Sequence, residues 1–390
     1  MTTVLDNREN WQHPLPFTAT IAHPPVMSSS LRKIRILTLD GGGVRGLSSL
    51  LILREFIERL QHTRASGTPN VQPAPLPPCD VFDFIVGTGT GGISALFLGR
   101  LHMTVDQAID AYLRMARTAF KSPAFRLRWG SRTAFDGNAL ADCLRGTVAE
   151  YLRDPNALLF ETSDPQCRVA VLAATSAYTD TPPYVFRNDL ATPSFRIVDV
   201  ALATSAMTGL FPAVSLSHPP IEFIDAGIAG FNNPSEVALS QAHGIWPNRD
   251  TVILSIGTGS QRVVDATGRD HWRKLADLSQ RLIESCEVVH DHLVRNQPLL
   301  SYFRFSVDRG LDEVGVREWK EAGDCGHLTG ITGAYLRKAE PARLLDLCVQ
   351  AVTSVDGDTL GVWSLNLDLR LIDQSIRSPG GFQWPINSQQ

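Results

Sequence analysis

The sequence predicts an α/β protein with a mostly parallel central sheet and helices on both faces. Two observations carry that expectation. Short apolar, β-branched runs alternate with segments of helical periodicity along the chain. Three of those runs, Arg32 to Asp40, Phe82 to Val86 and Thr251 to Ile256, pass straight into glycine-rich turns.

Residues 1–32 are polar and carry several prolines, and read as an N-terminal arm or disordered tail. Residues 33–390 read as a single domain, with a motif-bearing core over about 36–259 and a mainly helical part over about 260–390. Arg32 to Asp40 is the first strand, and a helix follows from Val44 to about Gln61. Residues 63–80 are rich in Pro, Gly and Ser and read as a surface loop. Phe82 to Val86 is the second strand, with a helix carrying Ile93, Ala95, Leu96 and Leu98 behind it. Thr104-Val105-Asp106-Gln107 has capping-box form and opens a helix to about Lys121. Asn138 to Leu152 is a further helix. Val169 to Ala173 is a strand with Tyr184 to Phe186 as its hairpin partner. Val200 to Ala206 reads as helix, Ile221 to Ile224 as strand, Trp272 to about Asn296 as one long surface helix, and Tyr302 to Val307 as a late strand.

Composition narrows the function classes. A chain of 390 residues with net charge −4 has no bulk attraction to nucleic acid or to anionic membrane. Its six cysteines show no C-x-x-C spacing, which argues against a zinc site or a disulfide framework and fits a reducing, cytoplasmic compartment. No apolar run approaches the ~18 residues a membrane-spanning helix needs, and the N-terminus lacks a charged-then-apolar leader pattern.

Three places carry chemistry. The first is Gly87-Thr88-Gly89-Thr90-Gly91-Gly92, between an apolar strand and an apolar helix. That is the layout of a nucleophile elbow, G-x-S-x-G, in which the middle residue is held in a strained conformation at the tip of the turn. Gly87 releases the chain from the strand, and Gly91 and Gly92 let the helix approach the sheet. Gly89 stands where a serine is expected. The second is Asp40-Gly41-Gly42-Gly43-Val44-Arg45-Gly46. Backbone N–H groups of a glycine loop at a helix start form an anion site, fit for a phosphate or for an acyl-transfer oxyanion. A dinucleotide site would want an acidic residue closing a second strand about 20 residues on; that distance lands on Glu58, inside a helical run. The third is Asp225-Ala226-Gly227, followed by Asn232-Asn233-Pro234. A carboxylate at a strand end can act as base to a hydroxyl, or simply cap a turn. Its place in order after the other two motifs favours the first role.

Together these blocks, with Ala203-Thr204-Ser205-Ala206 and Leu254-Ser255-Ile256-Gly257-Thr258-Gly259, resemble the patatin-like phospholipase family over roughly Ile36 to Gly259. The resemblance implies a three-layer patatin-like fold and a lipid acyl hydrolase, a phospholipase A or acylglycerol or galactolipid esterase or an acyltransferase, using a Ser–Asp dyad without metal or cofactor. Carried over by position, Gly89 occupies the nucleophile's place and Asp225 that of the general base. Gly41, Gly42 and Gly43 form the oxyanion hole with Arg45 beside it. Gly87, Thr88, Thr90 and Gly91 form the elbow, and Ala226 and Gly227 complete the base motif. The substrate implied is a lipid or other acyl ester.

Glycine at residue 89 forms no acyl-enzyme, so this form is expected to be inactive. Thr88 and Thr90 flank it but project in other directions. Either the parent protein carries serine and this copy is an inactivated variant, or the chain is a natural pseudoenzyme that binds lipid without cleaving it. The intact loop and base favour the inactivated enzyme. Residues 119–135 hold Lys121, Arg126, Arg128 and Arg132 with Phe120, Phe125 and Trp129 and no acidic side chain. They read either as a patch for transient, peripheral contact with a membrane surface or as a loop whose aromatics pack on the core.

Overall fold

The computed structural model describes residues 32–65, 74–120, 133–259, 286–314 and 326–354. Eight strands form one sheet: β1 (Ile34–Leu39), β2 (Phe84–Thr88), β3 (Arg168–Thr175), β4 (Tyr184–Arg187), β5 (Val214–Leu216), β6 (Ile221–Asp225), β7 (Thr251–Ile256) and β8 (Ser301–Phe305). The order is β5-β6-β3-β2-β1-β7-β8, with β4 paired to β3 off that path. Strands β3, β2, β1, β7 and β8 are mutually parallel. Strands β4, β5 and β6 add antiparallel pairs at one side.

Alternation along each central strand explains the layering, because successive side chains leave opposite faces. Leu37, Leu39, Ile85, Val169 and Val171 meet α1 (Gly46–Ala65), α3 (Val105–Ala119), α4 (Gly137–Leu152) and α5 (Ile197–Thr204) on one face. Ile36, Phe84, Val86, Ala170, Leu172 and Ile253 meet α6 (Ser235–Ile245) and α7 (Glu287–Asn296) on the other. Both faces are covered, so the strands read as continuous apolar runs. The fold is the expected three-layer α/β arrangement. Helices α8 (Gly326–Leu336) and α9 (Ala339–Thr353) join the first face, where Leu328, Leu345 and Val349 are buried.

Local signals fix several boundaries. Thr104 and Gln107 form the capping box of α3, each side chain bonding the other's backbone N–H at 3.3 and 2.9 Å. Asp136 caps α4 through the N–H of Asn138 at 2.8 Å. The helix expected over 200–206 runs Ile197–Thr204, one turn earlier. Strand β5 and helix α6 were not expected. The first is three residues long, and the second buries small alanines, Ala238 and Ala242, which give a weak periodic signal. Of the long helix expected over 272–296, Glu287–Asn296 is helical and residues 272–285 lie outside the described residues.

One close approach ties the elbow to the sheet. α2 (Thr90–Ala95) starts directly beneath the end of β1, and a Cβ on Gly91 would run into the carbonyl oxygens of Leu39 and Asp40. These are backbone atoms of a buried strand and cannot swing aside. Gly91→Ala should therefore destabilise the fold by about 1–3 kcal/mol, the range for overpacking, seen as a lower urea midpoint at unchanged slope.

Candidate active site

Three chain segments converge above the carboxyl ends of the parallel strands, where open α/β sheets place their ligands. Gly89 follows β2 with φ 57° and ψ −128°, a region that a residue with a Cβ enters only at a cost. Its N–H donates to Thr204 Oγ1 at 2.8 Å, and that hydroxyl donates to the Leu172 carbonyl at 2.6 Å. The elbow is thus pinned to α5 and β3.

Strand register brings Asp225 to the same level. Thr88 pairs with Leu172, so Gly89 stands level with Ala173, and Ala173 pairs with Asp225 on the antiparallel β6. Asp225 Oδ1 accepts from the Gly227 N–H at 2.8 Å. A Cβ placed on Gly89 would lie 3.1 Å from Asp225 Oδ2 and 3.5 Å from Gly41 Cα. Any side chain at residue 89 therefore points between the carboxylate and the glycine loop.

The loop's carbonyls are turned away from that point and held. Gly41 O accepts from Thr258 Oγ1 at 2.9 Å and from Asn232 Nδ2 at 3.3 Å, while the Gly41 N–H donates to Asn232 O at 3.2 Å. The buried Tyr112 hydroxyl donates to Gly43 O. Burial pushes that phenol's pKa up, so it stays a donor. The N–H groups of Gly42 and Gly43 make no hydrogen bond within the described residues, and both glycines line the cavity.

Under the loop lies a buried ion pair. Asp40, the residue before Gly41, is 1% exposed and takes both arms of Arg304 from β8, at 2.6 and 3.0 Å. Arg304 also donates to Ser255 Oγ at 2.9 Å, and Ser255 is bonded through Ser235 to Thr38. Burial pushes the Asp40 carboxyl up from its ordinary value, and the guanidinium opposes it. Burial also works against the Arg304 charge, but Asp40 more than offsets this and holds the guanidinium charged. Cys286 closes the floor, its Sγ accepting from Asn232 Nδ2 at 3.1 Å and its thiol pushed up by burial.

The cavity is open to solvent, and with the solvent space at its mouth it takes in about 570 Å³. Its polar end is the Gly41–Gly43 loop with Asp225 and Gly227, and its apolar wall is Phe120, Met207, Leu210, Phe211 and Ile228. Phe120, Phe135 and Phe211 form a ring cluster with centroids 5.0–6.1 Å apart. Phe120 therefore packs inward. The charged residues expected in the surface patch, Lys121, Arg126, Arg128 and Arg132, and also Phe125 and Trp129, lie outside the described residues.

The structure brings Gly41, Gly42, Gly43, Gly89, Thr90, Asp225 and Gly227 together. Arg45 is buried and leans on the loop's own Gly42 carbonyl, at 3.5 Å from Nε, so it braces the loop and does not line the cavity. Two neighbouring hydroxyls are engaged elsewhere. Thr88 Oγ1 donates to Phe231 O at 2.8 Å, and Ser205 Oγ donates back into its helix at 2.7 Å. Thr90 Oγ1 sits beside Gly46. Arg304 and the apolar wall were missed in the sequence. Among the described residues no three His, Cys, Asp or Glu side chains gather as a metal would require.

The family model described as patatin-like phospholipase matches residues 37–239. The chain belongs to the patatin-like phospholipase family. Calcium-independent phospholipase A2-gamma of Mus musculus is 30% identical over 296 residues, covering 70% of this chain and 35% of that protein. The chain thus spans about a third of the length of those mammalian relatives. A cGAMP-activated phospholipase of Vibrio cholerae is 27% identical over 297 residues, covering 70% of this chain and 78% of that one. A protein described as probable inactive patatin-like protein 9, from Arabidopsis thaliana, is 28% identical over 270 residues, covering 62% and 64%.

Two measurements probe this patatin-like site. Arg304→Leu leaves the Asp40 carboxylate buried without its partner and should cost about 3–5 kcal/mol. Asp40→Leu combined with Arg304→Leu should cost less than the sum of the single changes, the coupling a double-mutant cycle of denaturant melts reads out. Gly89→Ser places a Cβ in the left-handed region at a cost of about 1–3 kcal/mol. The narrower unfolded ensemble returns about 0.4–1 kcal/mol. The serine form should therefore melt lower, by a few degrees.

Proposed function

We propose that this chain carries the acyl-ester site of a lipid acyl hydrolase of the phospholipase A or acylglycerol esterase type, with its nucleophile position left empty by Gly89. The observation that carries the reading is the direction of residue 89. A Cβ there would stand 3.1 Å from Asp225 Oδ2 and 3.5 Å from Gly41 Cα.

With serine there, the hydroxyl would give its proton to Asp225 while its oxygen attacks the ester carbonyl. The developing oxyanion would lie against the N–H groups of Gly42 and Gly43, each such donor being worth about 2.7–4 kcal/mol. The acyl chain would run along Phe120, Met207, Leu210, Phe211 and Ile228. Asp225 would then take a proton from the water that releases the acid, or from an alcohol that accepts the acyl group. With glycine no acyl-enzyme forms, and the chain is inactive by that route. Substrate is met at a lipid surface, as peripheral contact by a protein in which no helix among the described residues is long and apolar enough to cross a membrane.

A second reading, a pseudoenzyme that holds lipid without cleaving it, is favoured by one observation. Glycine occupies the very position whose φ of 57° suits it, in a family with a relative described as probable inactive.

Gly89→Ser separates the two. The acyl-ester reading expects hydrolysis of a short-chain chromogenic ester and covalent labelling by a fluorophosphonate. Asp225→Asn in that background should remove about 10²–10⁴-fold of the rate. A folded serine form inert to ester and label would leave lipid holding as the function.

A further inference from the structure

A glycine at residue 89 takes away a serine's Cβ and Oγ from a place whose other walls all remain. Asp225 Oδ2 lies on one side, Gly41 Cα on another, and Gly42 and Gly43, whose N–H groups make no hydrogen bond within the described residues, line the same cavity. The elbow backbone stays fixed by Thr204, and the loop by Asn232, Thr258 and Tyr112. None of these anchors involves a side chain at residue 89.

We propose that this chain hydrolyses acyl esters slowly in one step, with Asp225 as general base to a water in the space that a side chain at residue 89 would fill. The proposal rests on the acyl-ester reading above and goes beyond it, since it assigns an activity to the glycine form itself.

Geometry and chemistry agree on the water. A general base must stand about 2.6–3.2 Å from the group it deprotonates. A Cβ built on residue 89 would stand 3.1 Å from Oδ2, so a water in the space that the glycine leaves open is within reach of the carboxylate. A water holds such a place when two or more polar partners meet it, and here a carboxylate oxygen lies on one side and loop N–H donors border the other. Thr88 and Ser205 have their hydroxyls engaged elsewhere.

The step balances without any further reactant. Asp225 Oδ2 takes one proton from the water as the water oxygen bonds to the ester carbonyl carbon. The carbonyl electron pair moves onto oxygen, against the N–H groups of Gly42 and Gly43. When the pair returns, the bond from carbon to the alcohol oxygen breaks. The departing alkoxide takes the proton back from Asp225. Ester and water become carboxylic acid and alcohol, and Asp225 is again ionised. No bond to the protein forms at any point.

The rate should be far below that of a serine form but above the background. Sites stripped of a catalytic side chain keep about 10³–10⁴-fold over water from the oxyanion hole and binding alone. A positioned base should add to that.

The test uses the full chain with p-nitrophenyl butyrate, after fluorophosphonate treatment to silence any serine hydrolase carried through purification. Product should form linearly from time zero, with no burst, above the spontaneous rate. Asp225→Asn keeps an Oδ1 acceptor for the Gly227 N–H but cannot take the proton, and should lower the rate about 10²-fold. Gly89→Ala puts a methyl group in the water's place and should lower the rate as far by a different route. Thermal melts of all three proteins establish that they are folded. A rate in folded Asp225→Asn equal to that of the unaltered chain overturns the proposal, as does a burst. Gly89→Ser is run alongside. If it hydrolyses and labels while the glycine chain shows no dependence on Asp225, the one-step route falls and the acyl-ester reading stands. If it too is inert, both fall.

Discussion

The site depends on the buried pair between Asp40 and Arg304. Asp40 closes the first strand, and the oxyanion-type loop begins at the next residue. Arg304 comes from the last strand of the sheet and reaches Asp40 past Ser255 of β7 and Gly257, the residue after that strand. A Cβ on Gly257 would stand 2.9 Å from an Arg304 nitrogen, so glycine there keeps the guanidinium's path open. Two charges out of water bring little net stability, since desolvation offsets most of their attraction. What they bring here is position. The end of β1 is tied to a strand two places away, and the loop that follows starts from a fixed point.

That arrangement separates the loop's electrostatics from the identity of residue 89. The carbonyls of Gly41 and Gly43 are occupied by Thr258, Asn232 and Tyr112, and the N–H groups of Gly42 and Gly43 make no hydrogen bond within the described residues. Under the proposed acyl-ester function such a loop would act as an oxyanion site, whose dipoles are oriented before charge develops. A change of serine to glycine at the elbow leaves all of these contacts in place. It also removes a Cβ from a backbone conformation that a Cβ strains. Under the proposed function, stability and chemistry would thus pull in opposite directions at residue 89.

Much of this was legible in the sequence, for a physical reason. Elbow, glycine loop and Asp225 motif are each contiguous, each follows an apolar strand, and each needs glycine at fixed spacing. Local sterics write such features directly into the chain. The parallel sheet was legible too, because strands buried on both faces must be apolar at every position. Arg304 was not, since one arginine in an otherwise ordinary strand gives no local sign that it reaches back to Asp40, 264 residues away. The apolar wall was hidden for the same reason. Met207, Leu210 and Phe211 follow α5 in the chain, and Ile228 lies in the turn after Asp225, so none stands out locally. Only the packing of α5 and the segment after it against the loop makes them a surface. Phe120 was read with its basic neighbours in sequence, while in space its neighbours are Phe135 and Phe211.

The register of β3 is the last piece of the argument. Asp225 lies on an antiparallel strand, so its level in the sheet is set by pairing with β3 and not by the parallel crossovers that place Gly89. Ala173 is the common reference, level with Gly89 on one side and paired with Asp225 on the other. A one-residue slip of β6 would turn Asp225 to the opposite face and separate it from the elbow. That slip is resisted by the buried Phe223, which packs edge-on against Tyr184 and Phe186 at 5.2 and 5.1 Å. The apolar residue that fixes the strand in the core therefore also fixes the carboxylate two positions later against residue 89, and the facing of base and elbow follows from core packing.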